Sequence, residues 1–560
     1  MKEESGVMAP QVLFYTFLML LVGGVAVDVM RFETKRVELQ QTMDRAVLAA
    51  ASMENKLLPI DVVNSYIATS GVDATLKSFE YIPTANGRTV RARATAHSDN
   101  YFMTMMDVPY LESDNRSEAQ QRINDIEIML VLDVSGSMAG SKLTNLKVAA
   151  NNFIDTVTKN DPEGRISIGI IPYNAQVNLG SALRSKYATA YNHGVADSNC
   201  LELPQNVFNS LNLSRTTAFP MMAVADTEST TTIKDVYYAT NTNKAAPVDT
   251  ASKRWCNPST DIDVTLPTKD KVTLHAAVNS LYAEGNTSIM LGMRWATALL
   301  DPAARPMYEE LIASKDLKAN MDLRPFDYTN KDAMKVIVLM TDGQHVAHSR
   351  VADDYKTGPA TITVNGKTAT IYRSNSDSYY STFLSSKVNN SSPSKICASR
   401  PYYVPHKSAW YSRPWNGSVP NSSDCFVPNA APNGAVMMNW EGVWQDVRVT
   451  WVAWQLLARA TGTSDSSRSD AYDDWLAELD QQYQSVNSMN SMLSDNCALA
   501  RAQNVLIYGI AFEAPSAGQT AIANCASLPS STYYFPASGT QILTAFDMIA
   551  SNLSQLRLTQ

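Results

Sequence analysis

From Val7 to Val27 the chain reads VMAPQVLFYTFLMLLVGGVAV, an apolar run with no ionisable acid or base apart from Tyr15. That is about the length needed to cross ~30 Å of hydrocarbon. The run continues without a turn signal into DVMRFETKRVELQQTMDRAVLAAAS, where Val37, Met43, Val47 and Ala50 fall on one helical stripe that neither Gly nor Pro interrupts. The pattern predicts one continuous helix over residues 1–52 that spans a membrane and projects beyond it. The alternative is a cleaved signal peptide, which has a shorter apolar core and a small-residue cleavage site.

The period then changes. Leu76 to Ile82 reads as a strand, Asn86-Gly87 as a tight turn, and Val90 to Ala96 alternates Val90, Ala92, Ala94 and Ala96 with Arg91, Arg93 and Thr95. An Asn-Gly turn between alternating segments predicts a hairpin. Phe102, Met103, Met105, Met106 and Val108 are expected to pack on it. Residues 53–120 are therefore expected to form a small α+β region. A long N-terminal helix followed by a small sheet resembles the layout of a pilin.

From residue 121 to 560 strands alternate with helices. Ile126 to Leu132, Ile166 to Ile171, Val336 to Met340, Val505 to Phe512 and Tyr533 to Phe535 are short apolar runs suited to buried parallel strands. Leu143, Leu146, Ala150, Phe153 and Val157 make a helical stripe. Lys271 to Ala283 reads as another helix, and Ile542, Phe546, Ile549, Leu553 and Leu556 as a closing one. This order predicts an α/β fold with a doubly wound, mostly parallel sheet, whose ligands bind at the carboxyl ends of the strands. Two stretches, about 180–265 and about 344–438, break the alternation. They are rich in Ser, Asn, Thr, Pro and Tyr, and the second carries a hairpin turning at Asn365-Gly366.

Composition narrows the function. The net charge is -8 and no long basic run is present, which argues against nucleic acid as a partner. Cys200, Cys256, Cys397, Cys425, Cys497 and Cys525 form no CxxC pair, so a zinc site is not indicated. An even count downstream of an apolar anchor suggests disulfides in an oxidising compartment, with all 15 pairings open at this point. Six free thiols in a cytosolic domain are the alternative. The flanking charges favour that alternative, because Lys2 precedes the run while Arg31, Lys35 and Arg36 follow it. The positive-inside bias weakens for large translocated domains, and the cysteines are given the greater weight.

The chemistry concentrates in IEIMLVLDVSGSMAGSK, residues 126–142. A phosphate-binding P-loop needs four residues between its first Gly and Gly-Lys-Ser/Thr; here three separate Gly136 from Gly140, and Ser141 precedes Lys142. A nucleophile elbow needs G-x-S-x-G, but Met138 and Ala139 lie between Ser137 and Gly140. Asp133, Ser135 and Ser137 instead offer alternate oxygens at a strand end, as a hard divalent cation requires. Further oxygens are expected from Thr287 in GNTSIMLGMRWA and Asp342 in VIVLMTDG. A DxSGS turn that only caps a helix is the simpler alternative.

These five residues resemble the metal-ion-dependent adhesion site of von Willebrand A-type domains: Asp-x-Ser-x-Ser, a Thr, then Asp-Gly after a later strand. The resemblance implies that Ser135, Ser137 and Thr287 bind the metal directly. It implies that Asp133 and Asp342 act mostly through water, and that one position stays open for a ligand's acidic group. Mg²⁺ is the expected cation, with Ca²⁺ and Mn²⁺ as alternatives. The N-terminal GGVAVDVMRFETKRVELQQTMDRAVLAAAS, and CALARAQNVLIYGIAFEAPSAGQTAIANCASLPSSTYYFP near the other end, resemble TadG-like proteins of the Tad (tight adherence, Flp pilus) system. That likeness leads us to expect Cys497–Cys525 as one bridge; Cys200–Cys256 and Cys397–Cys425 are expected if each insertion is stapled to itself.

The reading that results is a non-enzymatic, single-pass protein of the bacterial inner membrane. Its C-terminal part is periplasmic, or extracellular once assembled on a pilus. As a minor pilin-like or assembly component, its partners are other Tad/Flp pilus proteins or a surface or host ligand bearing an acidic residue. A periplasmic scaffold without adhesive role is the alternative, and a nucleotide hydrolase the outside one. His345 and His348 are read as loop or helix-start residues, with a second metal site as the alternative. Tyr402, Tyr403, Trp410, Tyr411 and Trp415 are either a contact surface or the core of their insertion. Trp440, Trp444, Trp451 and Trp454 are read as core. Asp28 is expected to pair with Arg31 or to dock a neighbouring helix.

Overall fold

A computed structural model describes the chain apart from residues 1–7, 53–56, 85–86, 123–124, 160, 162–163, 224–255, 322, 331, 389–396, 422–423, 427–433 and 560. Val7, Lys2, Asn86 and the middle of the first insertion thus lie outside the described residues. The chain divides into two compact units, residues 1–124 with 552–560, and residues 125–551.

In the first unit a single helix, α1, runs from Met8 to Ala51. At ~1.5 Å per residue it is roughly 66 Å long. Its first part is bare: Leu13 is 72% exposed and Met19 76%. It is long and apolar enough to cross a membrane. Its last part is buried by Leu39, Met43, Ala46, Val47 and Ala50, which pack with Val62, Val63 and Ile67 of α2 (Pro59–Thr69). Both helices cover an antiparallel sheet of β1 (Ala74–Thr84), β2 (Gly87–Asp99) and β3 (Tyr110–Arg122), with β2 in the middle.

The alternation read in Val90, Ala92, Ala94 and Ala96 faces this core. Two expectations need correcting. Val37 is exposed and Leu39 takes the buried position, because the register of the covered stripe is set by the sheet beneath it. Phe102, Met105 and Met106 are also exposed rather than packed on the hairpin; α1 already fills that face. The turn that carries them is tied to α1 instead. The Asp28 carboxylate accepts from the backbone N–H groups of Tyr101 (3.0 Å), Phe102 (2.8 Å) and Met103 (2.7 Å). One turn earlier Gly24 leaves room for the Phe102 ring, which a Cβ would approach to 2.5 Å. Arg31, the expected partner of Asp28, stacks over the Tyr101 ring at 4.1 Å.

The second unit is built on a six-stranded sheet. In spatial order its strands are β9 (Tyr534–Ala537), β8 (Leu506–Phe512), β7 (Ala333–Thr341), β4 (Asp125–Asp133), β5 (Ile166–Tyr173) and β6 (Thr265–Thr268). All neighbouring pairs are parallel except β5–β6 at the edge. The central strands are buried along nearly their whole length, which explains their unbroken apolar runs. Met129, Val131, Ile171, Ile337, Leu339 and Ile507 share a core with α4 (Ile289–Leu300) and α5 (Val486–Ala502). Every residue of α4 is buried. Helix α3 (Ser141–Thr158) follows β4, and its Phe153 meets Phe546 of the closing helix α7 (Gln541–Thr559) edge to face at 5.8 Å.

The second insertion is a folded module with its own core. Thr361–Val364, Lys367–Ser374, Tyr380–Leu384, Tyr402–Val404 and Ala409–Tyr411 pair in that order, antiparallel, and Ala435–Met437 adds to the second of them. Trp415, Trp440, Trp444, Trp451 and Trp475 fill the interior. The packing therefore continues to Leu479, past the boundary near 438 that composition suggests. Trp440, Trp444 and Trp451 are buried, while Trp454, Trp410 and Tyr411 are partly so. Tyr402 and Tyr403 are buried as well. The cysteines pair as Cys200–Cys256, Cys397–Cys425 and Cys497–Cys525.

Candidate functional site

The adjacent strands β4 and β7 end side by side at Asp133 and Thr341, with Leu132 opposite Met340 in the register. The loops leaving the two strands meet at this edge. After Asp133 the chain makes a short 3-10 turn, Gly136–Met138, before α3 starts at Ser141. Gly140 sits at φ +83° between them, a conformation that a side chain would strain. After Thr341 come Asp342 and Gly343. A third loop enters from residues 284–288, held by Glu284 N–H to Val134 O (2.7 Å) and Gly136 N–H to Gly285 O (2.8 Å).

The side chains converge. Asp133 is fully buried. Its Oδ1 accepts from the Ser135 N–H (2.8 Å) and its Oδ2 from the Thr341 hydroxyl (2.6 Å). The hydroxyls of Ser135 and Ser137 lie 3.0 Å apart. Ser137 donates to Asp342 Oδ1 at 2.6 Å, and Lys142 Nζ donates to Asp342 Oδ2 at 2.8 Å. Thr287 is 4% exposed; its hydroxyl oxygen would stand 3.0 Å from a Cβ at position 343, so any side chain there would crowd it. The next residue, Ser288, has a buried hydroxyl with no hydrogen-bond partner among the described residues.

The electrostatics are those of a site short of positive charge. Burial, with the neighbouring Asp342 adding to it, pushes the Asp133 carboxyl up to about 6. Lys142 answers the charge of Asp342 directly, and Glu513 lies 3.8 Å from the same ammonium. Two carboxylates and three hydroxyls are an all-oxygen set, which suits a hard divalent cation and not a soft one. The residues present therefore fit such an ion.

Sequence reasoning missed the supports. Lys142 was legible only as a broken P-loop lysine, yet it is the counter-charge to Asp342. Gly518, on α6 (Ser516–Cys525), has no local motif; a Cβ there would collide with the Gly343 carbonyl oxygen. His345 is buried, and Nε2 accepts from the Met290 N–H in the first turn of α4 (3.0 Å), while Nδ1 bonds Asn490 Oδ1 of α5 (2.7 Å). Burial drives this imidazole down to about 4. Both ring nitrogens are engaged, so His345 is a clamp and not a free ligand.

Residues 6–53 match the family model described as putative Flp pilus-assembly TadE/G-like. No curated protein matches the chain. Similar solved structures include the vWF domain of the type V pili tip protein Mfa5 from Porphyromonas gingivalis, at 12% identity and TM-score 0.29, covering 78% of this chain and 98% of that one. The pilus adhesin SpaC from Lactobacillus rhamnosus GG in its open conformation is similar at 8% identity and TM-score 0.29, covering 87% and 34%. The pilus adhesin RrgA from Streptococcus pneumoniae is similar at 11% and 0.27, covering 84% and 50%. The chain thus spans a third to a half of the two longer adhesins.

Proposed function

We propose that this chain is a membrane-anchored, pilin-like or assembly component of a Tad/Flp-type pilus, and that it binds rather than catalyses. In this reading residues 1–52 anchor it, 53–120 form the pilin-like region, and 121–560 form a doubly wound von Willebrand A-type domain carrying the two insertions. The match over residues 6–53 supports the pilus association, and the exposed apolar part of α1 supports the anchor. Three disulfides support an oxidising compartment on the far side of the membrane.

Asp133, Ser135, Ser137, Thr287 and Asp342 would hold a divalent cation, Mg²⁺ foremost. The observation that carries this is the meeting of Ser137 and Asp342, 205 residues apart, at the ends of adjacent parallel strands. When bound, the cation would add positive charge beyond what Lys142 gives to Asp342 and would attract a partner's carboxylate. The chain's own residues set the frame: the Thr341 hydroxyl and the Ser135 amide orient Asp133, and Gly343 admits Thr287. Pull-down from envelope extracts with and without chelator tests the reading. Partner recovery should depend on the cation, and equal recovery in both would sink the metal-dependent role. A scaffold that never leaves the membrane is the second reading. Immunogold labelling of sheared filaments separates the two, since only a tip or shaft subunit would be decorated.

A further inference from the structure

The second insertion carries a feature that neither the cation nor the pilus association explains. A groove of about 630 Å³ opens between four neighbouring strands of the module's sheet, at Lys367, Leu384, Tyr403 and Trp410, and the segment leading into the helix Asp465–Leu479. Among the described residues four cationic side chains line it, Lys367, Lys387, Arg459 and Arg468, and no aspartate or glutamate does. The chain as a whole is acidic, with 54 carboxylate and 46 cationic side chains, so this local excess opposes the average. Among the described residues, Lys367, Lys387 and Arg459 have no ion pair. Arg468 reaches only Asp465, at 3.4 Å, and that carboxylate is fully exposed. Such a pair contributes little. The Arg468 Nε is buried with no hydrogen-bond partner among the described residues.

The floor of the groove is aromatic. Tyr403 and Trp410 are cross-strand partners with ring centroids 5.3 Å apart. Lys387 Nζ lies 4.5 Å above the Trp410 ring, and the Arg459 guanidinium 5.8 Å from the Tyr403 ring. Neutral groups hold Arg459 in place: it donates to Gln455 Oε1 (2.6 Å) and to the Ser408 hydroxyl (2.7 Å). Its charge is thereby fixed in position without being cancelled. Four serine and threonine residues complete the rim.

We propose that this groove binds an acidic polysaccharide, a chain of uronate-type sugars. Each such sugar brings a ring face, hydroxyls and one carboxylate. The partly exposed Trp410, backed by the buried Tyr403, the hydroxyl rim and the unneutralised cations answer these three features in turn. A neutral glycan would leave the cations unused. An acidic peptide would use them but has less call on the aromatic pair and the rim.

The test uses the full chain in detergent micelles, in chelator, so that the outcome is independent of the cation site. Binding of oligogalacturonate is followed by calorimetry, beside a neutral cello-oligosaccharide and an oligoglutamate of matched charge. Oligogalacturonate should bind and the neutral sugar should not, and affinity should fall as salt rises. Lys387→Glu and Trp410→Ala should each weaken binding by about tenfold or more. Lys367→Glu, an exposed change that leaves the aromatic pair intact, should weaken it with the thermal transition unmoved. Absence of oligogalacturonate binding, or undiminished binding by both charge-reversed variants, would overturn the proposal. Oligoglutamate binding as tightly, with Trp410→Ala without effect, would replace the sugar by an acidic peptide.

Discussion

The hydroxyl of Ser137 donates to Asp342 at 2.6 Å, although the two residues are 205 positions apart and reach each other only because β4 and β7 are neighbours in one parallel sheet. Lys142 bonds the other oxygen of the same carboxylate. In the proposed cation-binding reading, Lys142 is an internal cation that an incoming metal must outcompete. Removing it should raise metal affinity: Lys142→Met should bind Mn²⁺ about tenfold more tightly by calorimetry and be less stable in chelator, because Asp342 loses its counter-charge. Thr287→Ala and Asp342→Asn should lose binding instead. A Lys142→Met variant with weakened Mn²⁺ binding would mean that the lysine serves the site in some other way.

Gly518 is where α6 passes the Gly343 carbonyl. Gly518→Ala should force the Asp342–Gly343 turn aside, costing about 1–3 kcal/mol as overpacking does. It should also weaken cation binding. Ser516→Ala, two residues earlier on the same helix, should leave both unchanged. Denaturant melts and cation titration of the two variants check this.

His345 gives a pH dependence with a definite sign. An unfolded-chain imidazole titrates near 6.5, whereas burial holds this one at about 4. Between those values the unfolded chain takes up a proton that the native state refuses, so stability is present above about 6.5 and is lost as pH falls toward 4. The loss should be on the order of 2–3 kcal/mol over that window. Urea melts at several pH values should show it for the parent, and His345→Gln should flatten that part of the profile. A parallel decline in both proteins would assign the loss to other groups.

Asp28 accepts three consecutive backbone amides from the turn at Tyr101–Met103. Asp28→Ala leaves all three without that partner. Their hydrogen exchange should accelerate by about tenfold or more, while the amides of Ala92 and Ala94 in the middle of the sheet stay protected. Exchange mass spectrometry on the detergent-solubilised chain resolves the two segments.

Cys497 on α5 and Cys525 at the end of α6 join two elements that pack on the sheet. Replacing both by Ala should cost roughly 3–4 kcal/mol on a loop-entropy basis. Non-reducing peptide mapping should recover the three pairs, and thermal melts of the double variant should show the loss.

Some of this was legible along the chain because it depends on neighbours in sequence. The apolar run before Asp28, the alternation in Val90–Ala96 and the unbroken strands around Leu130 and Val338 each state their own environment: lipid-compatible length, one covered face, two covered faces. Asp133, Ser135 and Ser137 were readable for the same reason, since one turn holds them. Other features depended on the elements that fold against them. Val37 and Leu39 differ little in hydropathy, and the sheet beneath α1 chooses between them. Met105 and Met106 are apolar yet exposed, because α1 and α2 occupy the core face of the sheet. Trp440, Trp444, Trp451 and Trp454 read as core, but which core they belong to depends on the antiparallel strands that close over them, and Trp475 joins the same interior without having been marked by the sequence. Lys142, His345 and Gly518 carry no local mark of their roles. Each acts on a group about 55 to 200 residues away, and partners at that distance are chosen by packing, to which a linear pattern is blind.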